Sequence, residues 1–308
     1  MTKTALVLGA TGGIGGETAR ALIAHGWTVR GLTRSPRDGD GIDWRIGDAM
    51  DRAAVLAAAD GVDAIVHAVN PPGYLDWEKL VLPMLENSIA AARANDARLA
   101  LPGTIYNYDP RTSPVIAPDS PQHPNTRKGA IRVAMERAIE QSGVKAVILR
   151  AGDYFGPRPG NSWLSQGLVT PGKPVGRVMV PGKAGIGHGW AYLPDVGETF
   201  ARLLDKGDEL PRFARYHFAG IWDDDGTRIT GAIAQAVGRP VRTWRMPWTL
   251  LPIVGLFNPT MKEMVEMRPF WEHPVRLDNA DLVAAIGPEP HTPVDVAMAT
   301  TLKALGCD

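Results

Sequence analysis

The sequence predicts an α/β protein built on a doubly wound parallel sheet, with a small lobe contributed by its C-terminal half. Three observations lead there. Up to about residue 150, short apolar runs alternate with helical patterns. A glycine-rich turn joins the first run to the first helix. After Arg150 the alternation gives way to a stretch dense in glycine and proline. Strands that alternate with helices need crossover connections, and these cover both faces of a parallel sheet.

Taken in order, "TALVLG" is a buried strand and "IGGETARALIAHG" a helix that Gly26 stops. "TVRGLT" and the weaker "DWRI" follow as strands, then "DRAAVLAAA" as a helix and "DAIVHAV" as a strand. The long pattern "WEKLVLPMLENSIAAARAN" leads into the strand "ARLALPG". "AIRVAMERAIEQSG" ends at Gly143, before the strand "KAVILR". Glycine closes a helix well because it adopts the left-handed capping conformation. From Gly152 to Gly189, "GPRPGN", "TPGKPVG" and "PGKAGIG" read as loops and short strands. The helix "LPDVGETFARLLDKG", the strand "RYHFAG" and the helix "TRITGAIAQAVG" come next. An apolar helix is expected around residues 249 to 267 and a last one around 293 to 305. Residues 1–155 are thus expected to form a nucleotide-binding domain. Residues 156–308 are expected to form a substrate-side lobe interleaved with the last sheet elements.

Composition narrows the partners. Lys plus Arg equals Asp plus Glu at 33 each, so no net field draws in nucleic acid or an anionic membrane. A small-molecule substrate is the expected partner. The lone cysteine, Cys307, permits no intrachain disulfide and no cysteine zinc cluster. The seven histidines are scattered, so no metal site is expected. The first residues do not read as a secretion signal. "TLLPIVGLF", broken by Pro252 and Gly255, falls far short of the ~20 apolar residues a spanning helix needs. A cytoplasmic protein is the expectation.

The most informative segment is "TALVLGATGGIGGETARALIAHG". A strand enters Gly9, Gly12 and Gly15, and a helix begins there. The glycines suit a tight turn, a close backbone approach to a pyrophosphate and close helix–strand packing, while the helix N-terminus attracts the phosphates. Thr11, Gly13 and Ile14 complete this candidate cofactor cradle. At the end of the second strand, "GLTRSPR" sets Thr33 where an NAD site usually carries an acid, followed by Arg34 and Arg37. A guanidinium suits a 2′-phosphate, so NADP is favoured, with NAD the alternative.

The spacing "GATGGIG" resembles that of the extended and atypical short-chain dehydrogenase/reductases, the NAD(P)-dependent epimerase/dehydratase group with a Rossmann-like domain. The resemblance extends to "GDAMD", "HAVNPP", "LPGTIYNYDP" and "LRAGDYFGP". It implies that Asp48 and Ala49 face the adenine and that Val69 and Asn70 line the cofactor. It also implies that Ala151, Gly152, Asp153 and Tyr154 pass near the nicotinamide. Aligned to the family pattern, Pro102 takes the place of the usual serine, with Thr104 two residues on. The family's Tyr-x-x-x-Lys occurs nowhere in this sequence.

The row Lys128, Arg132, Glu136 in "NTRKGAIRVAME" stacks three charges on one helix face. Glu136 lies 14 residues before Arg150, as in the shorter atypical members. That register sets Arg132 at the family's lysine and Lys128 at its tyrosine. A rival register equates Lys128 with the lysine and Pro124 with the tyrosine. Arg132 would then position the cofactor, and Lys128 would contact it or move a proton. The plainer reading is a surface ridge with Arg132 and Glu136 paired. Thr104, Tyr106, Tyr108 and Tyr154 are the further hydroxyls available to a substrate oxygen. The resemblance also places His188 and Trp190, ahead of the helix opening at Asp195, near the substrate lobe. Arg158 is the nearest candidate for a second diphosphate, while Trp222, Trp244, Trp248, Phe257, Phe270 and Trp271 offer an apolar wall.

Two functions follow. The first is hydride transfer between NADP and a small carbonyl or alcohol, with an epimerase- or dehydratase-like outcome also open. The second is a catalytically degenerate sensor of NADP redox state. Family members often dimerise, so a homodimer is compatible with either.

Overall fold

A computed structural model describes residues 2–71, 76–112, 114–158, 160, 162–256 and 259–307. The chain runs β1 (Thr4–Leu8), α1 (Gly13–Ala24), β2 (Thr28–Thr33), β3 (Asp43–Ile46), α2 (Arg52–Ala58), β4 (Ala64–His67), α3 (Trp77–Asn95) and β5 (Arg98–Thr104). It continues through β6 (Val115–Ile116), α4 (Arg127–Ser142), β7 (Ala146–Ala151), β8 (Asp153–Phe155), β9 (Arg177–Val180), β10 (His188–Tyr192), α5 (Leu193–Lys206) and β11 (Phe213–His217). The remainder is β12 (Ile221–Asp223), α6 (Arg228–Ala236), β13 (Arg242–Arg245), α7 (Leu251–Gly255), α8 (Pro259–Val265), α9 (Pro269–Glu272), β14 (Arg276–Leu277), α10 (Ala280–Ile286) and α11 (Val294–Leu305).

Seven strands form one parallel sheet in the order β11-β7-β5-β4-β1-β2-β3. The chain therefore winds outward from β1 in one direction, returns to β4 and winds outward in the other. Crossover helices cover both faces, which is why β4 and β7 are buried along their whole length. On one face Val7, Leu22, Val196 and Phe200 join α1 and α5 to the sheet. On the other, Leu6, Val55, Leu85, Leu99 and Ile139 pack α2, α3 and α4. Helices α1 and α5 approach so closely that a Cβ on Gly197 would lie 2.7 Å from the Glu17 carbonyl.

The second half interleaves with this sheet. β11 supplies its edge strand, while β8 joins β10 and β12 in a small separate sheet. A third core, centred on Trp163, Trp190, Phe270 and Trp271, holds the lobe together. The apolar segment expected as one helix over 249–267 contains two short ones, α7 and α8. Of the aromatics expected to wall the lobe, Trp244 lies exposed on β13, and Phe257 falls outside the described residues. Among the described residues no helix is long and apolar enough to cross a membrane.

Candidate active site

The winding reverses between β1 and β4. Loops leaving the two strands at their C-terminal ends diverge there and leave a crevice, the usual ligand position in open α/β sheets. Here it is a cleft of about 770 Å³. Gly9 turns out of β1 with a φ of +87°, and a Cβ there would sit 2.5 Å from the Ala68 carbonyl oxygen. A Cβ on Gly15 would collide with the Gly9 carbonyl, so α1 rests directly on the turn. No side chain caps α1 at Gly12. Thr11, Gly12, Gly13 and Ile14 line the cleft, leaving the helix N-terminus open to an anionic group. This cradle exists because three side chains are missing, and it fits a dinucleotide's pyrophosphate.

At one end the wall is Thr33, Arg34 and Ser35. The Thr33 hydroxyl donates to the Ser35 carbonyl at 3.0 Å, closing a turn that presents the exposed Arg34. Arg37 turns away, over the Trp44 ring at 5.1 Å and 3.6 Å from Asp40. Asp48 and Ala49 line the cleft beside it, and one Asp48 oxygen accepts the Met50 N–H at 2.9 Å. Val69, Asn70, Pro102, Ala151, Gly152 and Asp153 continue the lining toward the lobe.

The charged row on α4 is not a surface ridge; its three members serve three places. Glu136, 4% exposed, makes a two-fold bond to the fully buried Arg150 at 2.9 and 2.6 Å. Asn107 and Gln122 also donate to this carboxylate. Arg132 faces the cleft, its guanidinium 4.9 Å from the Trp77 ring centre and 3.5 Å from the Pro102 carbonyl. It makes no pair with Glu136 of the kind the plain helix-face reading expects. Lys128 is 3% exposed and lies outside the cleft. Its ammonium binds the carboxylates of Glu263 and Glu266, the latter at 2.6 Å, and its backbone N–H donates to Glu266 at 3.1 Å. Although burial opposes it, the Lys128 contacts hold the Glu266 carboxyl below its ordinary pKa. Lys128 thus ties the start of α4 to α8 and the residue after it.

At the lobe end, Thr104, Tyr106 and Tyr154 line the cleft together with Trp77 and Trp163. The Thr104 hydroxyl accepts the Tyr106 N–H at 3.2 Å, and the Tyr154 hydroxyl donates to the Gly103 carbonyl at 3.4 Å. Burial raises the pKa of the Tyr154 phenol, with nearby Arg132 working against it. Tyr108 instead lies behind the cleft, bonded to Arg150 and pushed up to about 12 by burial. Arg158, more than half exposed, is paired with Glu17 at 3.2 Å.

Sequence reasoning passed over His67. It lines the cleft with Nδ1 2.8 Å from the Ser88 hydroxyl, and burial, aided by Arg132, lowers its pKa to about 3. It also missed the bond between Asp153 and His188, 2.7 Å from carboxylate to Nε2. No local pattern announces that bond, since the partners are 35 residues apart and meet only because β8 pairs with β10.

Comparison with known proteins identifies the family and the fold. The model of the NAD dependent epimerase/dehydratase family matches residues 5–216. The chain is 30% identical over 174 residues to a 3-diazoavenalumate denitrifying reductase of Streptomyces sp, covering 50% of this chain and 57% of that one. It is 38% identical over 69 residues to sterol demethylase protein B of Methylococcus capsulatus, 21% of each. The matches thus span 57% and 21% of these relatives' lengths. Among solved structures, UDP-glucose 4-epimerase from Brucella ovis in complex with NAD superposes with a TM-score of 0.78 at 14% identity, covering 100% of this chain and 99% of that one. The Bifidobacterium longum enzyme in complex with NAD+ and UDP gives 0.75 at 15%, covering 98% of each. At such identities the likeness establishes the fold.

Proposed function

Since the chain belongs to the NAD dependent epimerase/dehydratase family and is an NAD(P)-dependent enzyme, we propose that it is an NADP-dependent reductase of a small, flat carbonyl-type substrate. The observation that carries this reading is the distribution of charge along the cleft. Its lining cations among the described residues are Arg34 at one end and Arg132 at the other. Arg34, on a turn with no acid, is placed to bind a 2′-phosphate. Arg132 is placed to hold the nicotinamide half of the cofactor and cannot give up its own proton. Among the described residues, no other arginine or lysine lines the cleft to meet a sugar diphosphate.

When bound, the cofactor supplies a hydride. The chain's part is to position and enclose. The open N-terminus of α1 holds the pyrophosphate, and Trp77, Tyr154 and Trp163 exclude water. Thr104 offers a hydroxyl to the substrate oxygen. These aromatic walls suit a planar substrate, and the Streptomyces relative, named as a reductase, supports reduction over epimerisation.

Calorimetric titration with NADPH, NADP+, NADH and NAD+ tests the reading. The phosphorylated pair should bind more tightly. Arg34→Ala should weaken that pair about 10- to 100-fold, the worth of ~1.5–3 kcal/mol for hydrogen bonds to a charged group, and leave the other pair unchanged. Equal binding of NADPH and NADH, unaffected by Arg34→Ala, would refute it.

A further inference from the structure

Reduction of a carbonyl takes a proton as well as a hydride. The family's Tyr-x-x-x-Lys is missing from this sequence, and Lys128 is tied into the lobe. We propose that Tyr106, Asp153 and His188 form a proton relay in its place, with the Tyr106 hydroxyl as the acid that meets the substrate. The proposal rests on the reductase reading above.

The geometry is a continuous chain. The Tyr106 hydroxyl donates to one Asp153 oxygen at 3.4 Å, and the other Asp153 oxygen lies 2.7 Å from His188 Nε2. The first bond is long, as catalytic hydrogen bonds often are before substrate arrives. Tyr106 and Asp153 line the large cleft, whereas His188 lines a separate cavity of about 20 Å³, room for one water molecule. The relay therefore links two spaces. Adjacent residues of α9 hold its ends: Phe270 packs on the Tyr106 ring at 5.3 Å, and Trp271 stacks on His188 at 3.7 Å and 12°. All three relay members are at most 8% exposed, an arrangement that needs a purpose for so much buried polarity.

The charged and titratable groups around the chain are few. Arg132 and Tyr154 act on the cleft side, where the Tyr154 phenol responds to both Arg132 and Asp153. On β12, Asp223 stands opposite His188, its carboxylate occupied by the N–H groups of Gly226, Arg228 and Ile229. As the substrate carbon is reduced, its oxygen takes the proton from the Tyr106 O–H bond. The Asp153 carboxylate takes the Nε2 proton of the His188 imidazolium, and the carboxylic acid so formed gives its proton to the tyrosinate, which leaves Asp153 a carboxylate again and His188 a neutral imidazole. Solvent on the far side restores His188. The sum is NADPH, a proton and a carbonyl giving NADP+ and an alcohol.

The test reads the chain first without turnover. In NMR spectra of full-length protein with isotope-labelled histidine, Tyr106→Phe should shift the His188 imidazole resonances, because Asp153 is shared while the ring contact with Phe270 is kept. Unchanged His188 resonances in Tyr106→Phe would overturn the relay. With phenanthrenequinone as carbonyl probe and NADPH, Tyr106→Phe should lose ~10²–10⁴-fold in kcat with KM unaltered. His188→Gln should lower kcat with KM unaltered. Full turnover by Tyr106→Phe or by His188→Gln would equally refute the proposal. Loss of NADPH binding by the unaltered protein would instead defeat the reductase reading, leaving the NMR result to judge the relay.

Discussion

Glu136→Gln is the sharpest probe of how the fold backs the cleft. Arg150 is fully buried, and Glu136 supplies its balancing charge through two parallel bonds. Its other acceptors are neutral groups: the Tyr108 hydroxyl, the Pro118 carbonyl and His217 Nε2. Burial, reinforced by Arg150, pushes His217 down to about 3, so that imidazole carries no charge near neutral pH. The amide in Glu136→Gln keeps the shape and leaves an uncompensated buried guanidinium, at a cost of ~3–5 kcal/mol. With 308 residues and an unfolding entropy of ~2.1 cal/mol/K per residue, this lowers Tm by roughly 5–8 °C. Scanning calorimetry at neutral pH measures it. The paired variant Glu136→Met with Arg150→Met should recover part of the loss, because both charges leave together. A Glu136→Gln protein melting within about 1 °C of the parent would refute the reasoning and imply that water reaches Arg150.

Two further outcomes follow. Gly15→Ala drives a Cβ into the Gly9 carbonyl and should abolish dinucleotide binding measured by calorimetry, and retained affinity would mean that α1 can lift from the turn. His67 and His217 both titrate near 3 in the fold, against an ordinary value of 6.5. The unfolded chain therefore takes up their protons first. Their contribution is complete above pH 6.5 and falls as pH drops toward 3, by up to ~1.4 kcal/mol per pH unit for each. His25 acts in the opposite sense: despite burial, its bonds to Asp205 and Glu198 raise its pKa, so its contribution is lost as pH rises. Urea melts between about pH 7 and 5 should show net destabilisation of up to ~4 kcal/mol, and a flat profile would contradict the buried neutral histidines.

What was legible in the sequence was what short-range pattern determines. The seven sheet strands and the glycine turn follow from alternation and from a backbone path closed to side chains. The 14-residue step from Glu136 to Arg150 set the register of α4, and the fold makes those positions a buried pair, because a helix and the next parallel strand place them face to face. The partners of Lys128 were not legible in this way. Four-residue spacing fixes the helix face, but near the start of α4 that face meets α8, and Glu263 and Glu266 lie more than 130 positions away. The Asp153–His188 bond was equally out of reach, since it depends on the register that sets Asp153 beside Trp190. Loops, a helical turn and β9 lie between those strands, and no periodicity spans them.

The placement of β11 has a consequence for synthesis. Its partner β7 carries the run Ala146 to Ala151, buried at every position, and on that side its backbone pairs with β11 and the residues flanking it, Arg212 and Phe218. A nascent chain that has emerged through Ala151 must wait 62 residues, 213 minus 151, for that edge to be covered. At ~5–20 residues per second the wait is about 3–12 s. Throughout it, an apolar parallel strand presents unpaired N–H and C=O groups to any neighbouring chain. Expression of this protein should therefore be more sensitive to lesions in Phe213–His217 than the stability of the finished fold would suggest, with the losses appearing as aggregate.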